Sequence, residues 1–137
     1  MNSVAAQSVQ RNPVLVIEDE PSVANFVRSA LERHGFTVKW ASSGAEGLKL
    51  LQSGEFVGVI SDMRTPGNVN GADVHAWISA NRPAMSSRLL FITGDIANEE
   101  TGTILKNTGV PFIEKPFRVQ QLISTVESLF GKAPLNK

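Results

Sequence analysis

Between residues 13 and 131, short apolar runs alternate with stretches whose apolar residues recur at helical spacing. Val14-Leu15-Val16-Ile17 is a continuous apolar run, as a strand buried on both faces requires. Pro21 follows where the first turn of a helix accepts it. Val23, Phe26, Val27, Ala30 and Leu31 then recur at helical spacing, and His34-Gly35 supplies a stop. Residues 36–40 read as a second strand. Ser43 and Glu46 have the spacing of a capping box and open a helix whose apolar face holds Ala45, Leu48 and Leu51. Residues 56–61 form a third strand that ends at Asp62, and the stretch from Thr65 to Gly71 is rich in turn formers. Val74, Trp77 and Ile78 mark a helix, and residues 88–93 a fourth strand. A helix is expected over 98–107, although Gly102 interrupts it and only Ile104 and Leu105 are clearly apolar. Residues 110–113 form a short fifth strand. Val119, Leu122, Ile123, Val126, Leu129 and Phe130 give the last helix a clean apolar stripe.

Strands alternating with helices predict an α/β fold with a parallel sheet and helices on both faces. Right-handed crossovers bring the carboxyl ends of the strands to one edge, where such folds bind ligands. That edge receives Glu18-Asp19-Glu20, Asp62, Thr93 and Lys115. These residues converge if the first strand lies between the second and third, which is the flavodoxin-like order 2-1-3-4-5 of a (βα)5 three-layer sandwich. The expected organisation is a flexible leader over 1–12, one domain over 13–131 and a tail over 132–137.

Composition narrows the function. A length of 137 residues suits one hydrophobic core. Lysine plus arginine and aspartate plus glutamate are 13 each, so no basic surface points to nucleic acid or an anionic membrane. No apolar run is long enough to insert into a membrane. Cysteine is absent, which excludes disulfides, thiolate catalysis and cysteine metal sites. The polar first residues lack the apolar segment of a signal peptide, and a cytoplasmic location is expected.

Glu18, Asp19 and Asp62 in one shallow pocket would repel one another, and at least one would favour its protonated form. A hard divalent cation relieves that repulsion; Mg²⁺ (or Mn²⁺) takes oxygen ligands and usually keeps waters and a phosphate oxygen. A carboxylate beside such an ion can attack phosphorus and form an aspartyl phosphate. Lys115 can hold another phosphoryl oxygen and Thr93 can donate to a third. Each residue alone has an ordinary structural reading as a turn, cap or surface residue; their joint arrival at four strand ends carries the argument. His34 at a helix end and His75 within a helix read as structural, and Trp40 and Trp77 as packing residues rather than ligand platforms.

These segments closely resemble the receiver domains of response regulators and hybrid histidine kinases. Residues 14–20 look like that family's first strand and acidic pair, and 58–67 like its phosphoacceptor strand and following loop. Residues 91–94 look like its fourth-strand switch segment, and 112–117 like its lysine–proline segment, often cis. The resemblance implies that Asp62 is the phosphoacceptor, and that Glu18, Asp19, Asp62 and the Arg64 backbone carbonyl hold the metal. It implies that Lys115 binds the phosphoryl group, that Thr93 moves toward it, and that Phe112 is the aromatic switch. The implied partner is a histidine kinase or phosphotransfer protein, and the fourth helix, fifth strand and fifth helix form the face for a homodimer. Three features depart from the pattern. Glu18 replaces the commoner aspartate, Phe112 lacks a hydroxyl, and the loop 67–71 is one residue longer than the usual pattern. Arg64 and Asp95, each two residues past a key position, are expected to pair across the mouth of the site. The alternative to a phosphoacceptor is a pseudo-receiver that serves only as a docking module.

Overall fold

The computed structural model describes residues 12–64, 69–94 and 96–133. Five strands, β1 (Val14–Ile17), β2 (Val38–Ala41), β3 (Gly58–Asp62), β4 (Leu89–Thr93) and β5 (Phe112–Glu114), form one parallel sheet in the order β2-β1-β3-β4-β5. The helices are α1 (Pro21–Arg33), α2 (Gly44–Ser53), α3 (Gly71–Asn81), α4 (Glu99–Thr108) and α5 (Val119–Phe130), with a 3-10 turn at Pro83–Met85. This is the flavodoxin-like three-layer arrangement the pattern predicts.

The sheet has a core on each face. Val14, Val16, Ile60, Leu90 and Ile92 pack with Val27 and Leu31 of α1 and Leu122 and Val126 of α5. Leu15, Ile17, Val59, Leu89 and Phe91 pack with Leu51 of α2 and Val74 and Ile78 of α3. Alternate residues of β1 thus enter opposite cores, which is why the strand reads as an unbroken apolar run. Burying each such side chain contributes roughly 1.5–3 kcal/mol. Two glycines allow close approach. A Cβ at Gly58 would lie 2.6 Å from the ring of Phe130, and one at Gly47 would run into Ile17.

The elements differ from the pattern in detail. In α1 the buried residues are Ala24, Val27, Ala30 and Leu31, while Phe26 is exposed and meets Phe117 edge-on at 5.7 Å. In α2 Ala45 is exposed, and Gly44, Gly47 and Leu51 are buried, with Gly47 resting on Ile17 of the sheet and Gly44 against Val69. The Ser43 side chain accepts the Glu46 N–H at 3.1 Å, but the Glu46 carboxylate reaches back to the Ser42 N–H at 2.6 Å rather than to Ser43. The strands β2, β3 and β5 each start two residues later than predicted. Phe36 and Val110 enter the cores from the turns before them. α4 lies shallow, with Thr101 its one buried residue and Ile104 and Leu105 partly buried. The expected leader up to residue 11, loop residues 65–68 and tail residues 134–137 lie outside the described residues. No described helix is long and apolar enough to cross a membrane.

Candidate functional site

Because β3 lies between β1 and β4, its carboxyl end is flanked by theirs, and Asp62 stands at the centre of that edge. Asp62 is buried. Its Oδ1 accepts the Arg64 N–H at 3.0 Å, and its Oδ2 accepts from Lys115 Nζ at 2.9 Å. Lys115 is held by its own main chain, whose N–H donates to the Thr93 carbonyl at 2.7 Å, and the Lys115–Pro116 peptide is cis as the family pattern implies. Thr93 ends β4 and is buried.

Glu18 sits one residue past β1 and is only 2 % exposed. Its N–H donates to the Ala41 carbonyl at 3.0 Å, and its Oε2 accepts the Glu20 N–H at 3.1 Å. Its Oε1 lies 3.2 Å from Lys115 Nζ, an ion-pair distance without hydrogen-bond alignment. It is the one buried side-chain polar atom without a hydrogen bond among the described residues. Lys115 Nζ also lies 3.7 Å from Glu20 Oε1, so three carboxylates surround one ammonium. Burial first, then the charge of Asp62, pushes the Glu18 carboxyl up to about 7, against the opposing pull of the Glu20 N–H and Lys115. Burial acts to lower Lys115, but its hydrogen bond to Asp62 and the charges of Asp62 and Glu18 outweigh this and raise it above the ordinary lysine value.

One carboxylate oxygen from each of Glu18, Asp19 and Asp62 lies within 4.8 Å of the others, with Asp19 on the solvent side. The donors are all carboxylate oxygens, and burial and the charge of Asp62 work against the charge of Glu18. This set fits a hard divalent ion such as Mg²⁺ and offers nothing to a soft one.

Glu18, Asp19, Asp62, Thr93 and Lys115, all read from the sequence, thus meet at one edge. The Arg64 N–H keeps the backbone at 64 beside the Asp62 carboxylate. Phe112, on the edge strand β5, is 44 % exposed and turned away from the core. The expected Arg64–Asp95 pair involves a residue outside those described; Arg64 makes an exposed ion pair with Glu100 of α4 at 3.5 Å. His34 Nδ1 lies 3.0 Å from the Ala30 carbonyl at the end of α1, a local contact in keeping with a structural role. Trp77 packs half-buried against the core. Two contributors were given no role in the site by the pattern reading. Glu20 braces Glu18 and Lys115. Trp40 is exposed rather than core, and its indole N–H donates to the Glu18 carbonyl at 2.7 Å. The signal for Trp40 was an aromatic residue near the end of an edge strand, next to the strand that carries the acidic pair.

A doubly wound sheet with an acidic, lysine-capped site at its carboxyl edge defines the class, and the comparisons specify it. The family model for the response regulator receiver domain matches residues 14–127, and the chain belongs to this family. It is 29 % identical over 122 residues to the transcriptional activator protein IrlR of Burkholderia pseudomallei, covering 87 % of this chain and 50 % of that protein. It is 29 % identical over 121 residues to the sensor kinase CckA of Brucella abortus, covering 87 % of this chain and 12 % of the kinase. The chain therefore spans half or less of these two relatives. A CheY-like receiver domain from Methanospirillum hungatei superposes with a TM-score of 0.76 at 23 % identity, covering 85 % of this chain and 91 % of that one. The receiver domain of a histidine kinase from Syntrophus aciditrophicus superposes with a TM-score of 0.77 at 23 % identity, covering 87 % and 89 %. The chain is a receiver module of two-component signalling.

Proposed function

We propose that this receiver accepts a phosphoryl group on Asp62 from the phosphohistidine of a histidine kinase or phosphotransfer protein, with Mg²⁺ held by Glu18, Asp19, Asp62 and the Arg64 carbonyl. The observation that supports it is the cluster of Glu18, Asp19 and Asp62 carboxylates within 4.8 Å of one another, with the Lys115 ammonium against two of them. A bound divalent ion would supply positive charge against the incoming phosphoryl oxygens. Asp62 is fixed on both oxygens, so its carboxylate is oriented before the donor arrives. In the transfer a carboxylate oxygen of Asp62 forms the new P–O bond as the P–N bond of the donor breaks, and the freed imidazole nitrogen takes up a proton. Lys115 is the ammonium next to the acceptor and stabilises the charge on the transferred group.

Thr93 and Phe112 then carry the signal. The buried threonine closes on the phosphoryl group, and the exposed ring of Phe112 repacks inward. The shallow seating of α4 lets the face of α4, β5 and α5 shift at low cost. That face is also where two copies would associate. The test is peptide mapping after incubation with acetyl phosphate and Mg²⁺. An acyl phosphate that hydroxylamine cleaves at residue 62 supports the reading, and a chain that takes up no phosphoryl group is a docking module instead.

A further inference from the structure

We infer that Trp40 is a positioning residue for the metal-binding acids, acting through the backbone between Glu18 and Asp19. The inference rests on the reading of Glu18 and Asp19 as metal ligands. β1 ends at Ile17, and the next two residues carry carboxylates of the candidate ion site. The peptide joining them is the element whose rotation would swing both. The amide on its amino-terminal side is fixed, because the Glu18 N–H continues the β1–β2 ladder to the Ala41 carbonyl at 3.0 Å. The ladder stops there, because β2 ends at Ala41 and the chain beyond it is turned toward α2, where the Ser42 N–H donates to the Glu46 carboxylate at 2.6 Å. The Trp40 indole replaces the missing rung, with Nε1 donating to the Glu18 carbonyl at 2.7 Å.

The geometry makes this side chain suited to the task. Trp40 pairs with Val16, two residues before Glu18, so a long side chain leaning along the strand reaches that carbonyl, whereas a shorter donor would not. The indole N–H only donates, so the bond cannot reverse its polarity. The strand end that bears Trp40 is itself braced from α2 through Glu46 and Ser42. The ring is 40 % exposed, so it supplies little to the core that would explain a tryptophan on an edge strand. Groups that orient metal ligands without touching the metal control affinity by fixing the ligand geometry in advance.

Mg²⁺ binding to the intact chain is measured by titration calorimetry for wild type, Trp40→Phe and Trp77→Phe, with urea unfolding of each in EDTA. Trp40→Phe keeps a ring but loses the donor, and its Mg²⁺ dissociation constant rises about fivefold, the equivalent of one hydrogen bond. Trp77→Phe leaves the constant unchanged. In the nitrogen–proton correlation spectrum of Trp77→Phe, the remaining indole signal, that of Trp40, is protected from exchange and moves on Mg²⁺ addition. Wild-type binding with an unchanged constant in Trp40→Phe overturns the positioning role alone. So does an indole signal that stays still while calorimetry records binding, a readout that does not depend on Trp40→Phe folding. No Mg²⁺ binding by wild type overturns the site reading and this inference together.

Discussion

Glu18→Gln separates the cost of the acidic site from its use. In the folded, metal-free chain the Glu18 carboxyl stands at about 7 rather than 4.5, raised by burial and then by the charge of Asp62. A carboxyl raised by folding makes the native state bind the extra proton, so its stabilising contribution is complete below about pH 4.5. That contribution is lost as pH rises through about 7. At about 1.4 kcal/mol per pH unit, the gap between 4.5 and about 7 sets a ceiling of about 3–4 kcal/mol. Water entry and the shared charge of Lys115 and Asp62 reduce this, and ~1–2 kcal/mol is the expected size. Glutamine keeps the shape and an acceptor for the Glu20 N–H but never ionises. In EDTA the variant should therefore unfold at higher urea than wild type at pH 8 and within error of it at pH 5. Saturating Mg²⁺ should reverse the order at pH 8, because wild type gains the linkage energy of binding and the variant gains less. A stability difference between variant and wild type that is the same at pH 5 and pH 8 would refute the claim that Glu18 is held against its charge.

Three further outcomes follow from named contacts. Gly58→Ala puts a methyl group 2.6 Å from the Phe130 ring and should destabilise by ~1–3 kcal/mol in urea unfolding, with the Mg²⁺ dissociation constant unchanged. Arg64→Ala should speed loss of the Asp62 phosphoryl group by admitting attacking water, followed by mass spectrometry over time. Its stability should change by less than ~1 kcal/mol, because the Glu100 pair is exposed; an unchanged lifetime removes Arg64 from the mouth of the site. Hydrogen exchange in residues 99–108 should change when beryllofluoride and Mg²⁺ mimic the phosphorylated state, and equal protection with and without the mimic contradicts a mobile α4.

What could be read from the chain follows from what each element must bury. β1, β3 and β4 are covered on both faces, so their apolar runs are unambiguous and lead directly to Glu18, Asp62 and Thr93. The edge strands are half-covered. Phe36, Phe56 and Val110 look like strand residues but reach the core from outside the strands, which displaced the predicted starts of β2, β3 and β5. On α2 the predicted Leu48 and Leu51 pack on the core and only Ala45 was misplaced; the inward-facing Gly44 and Gly47 are what a search for apolar residues passes over. The site residues were legible as types at strand ends, yet their energetics were not. That the Glu18 carboxylate is buried against Lys115, and that Trp40 grips its carbonyl, depend on register and on the path of the chain after β2.

The central claim is that Asp62 is the phosphoacceptor of a metal-assembled site. Intact-mass spectrometry of the chain with acetyl phosphate, with and without Mg²⁺, tests it most directly. The account predicts a gain of one phosphoryl group that requires Mg²⁺ and vanishes in Asp62→Asn. A gain that persists in Asp62→Asn, or that is indifferent to EDTA, would contradict it.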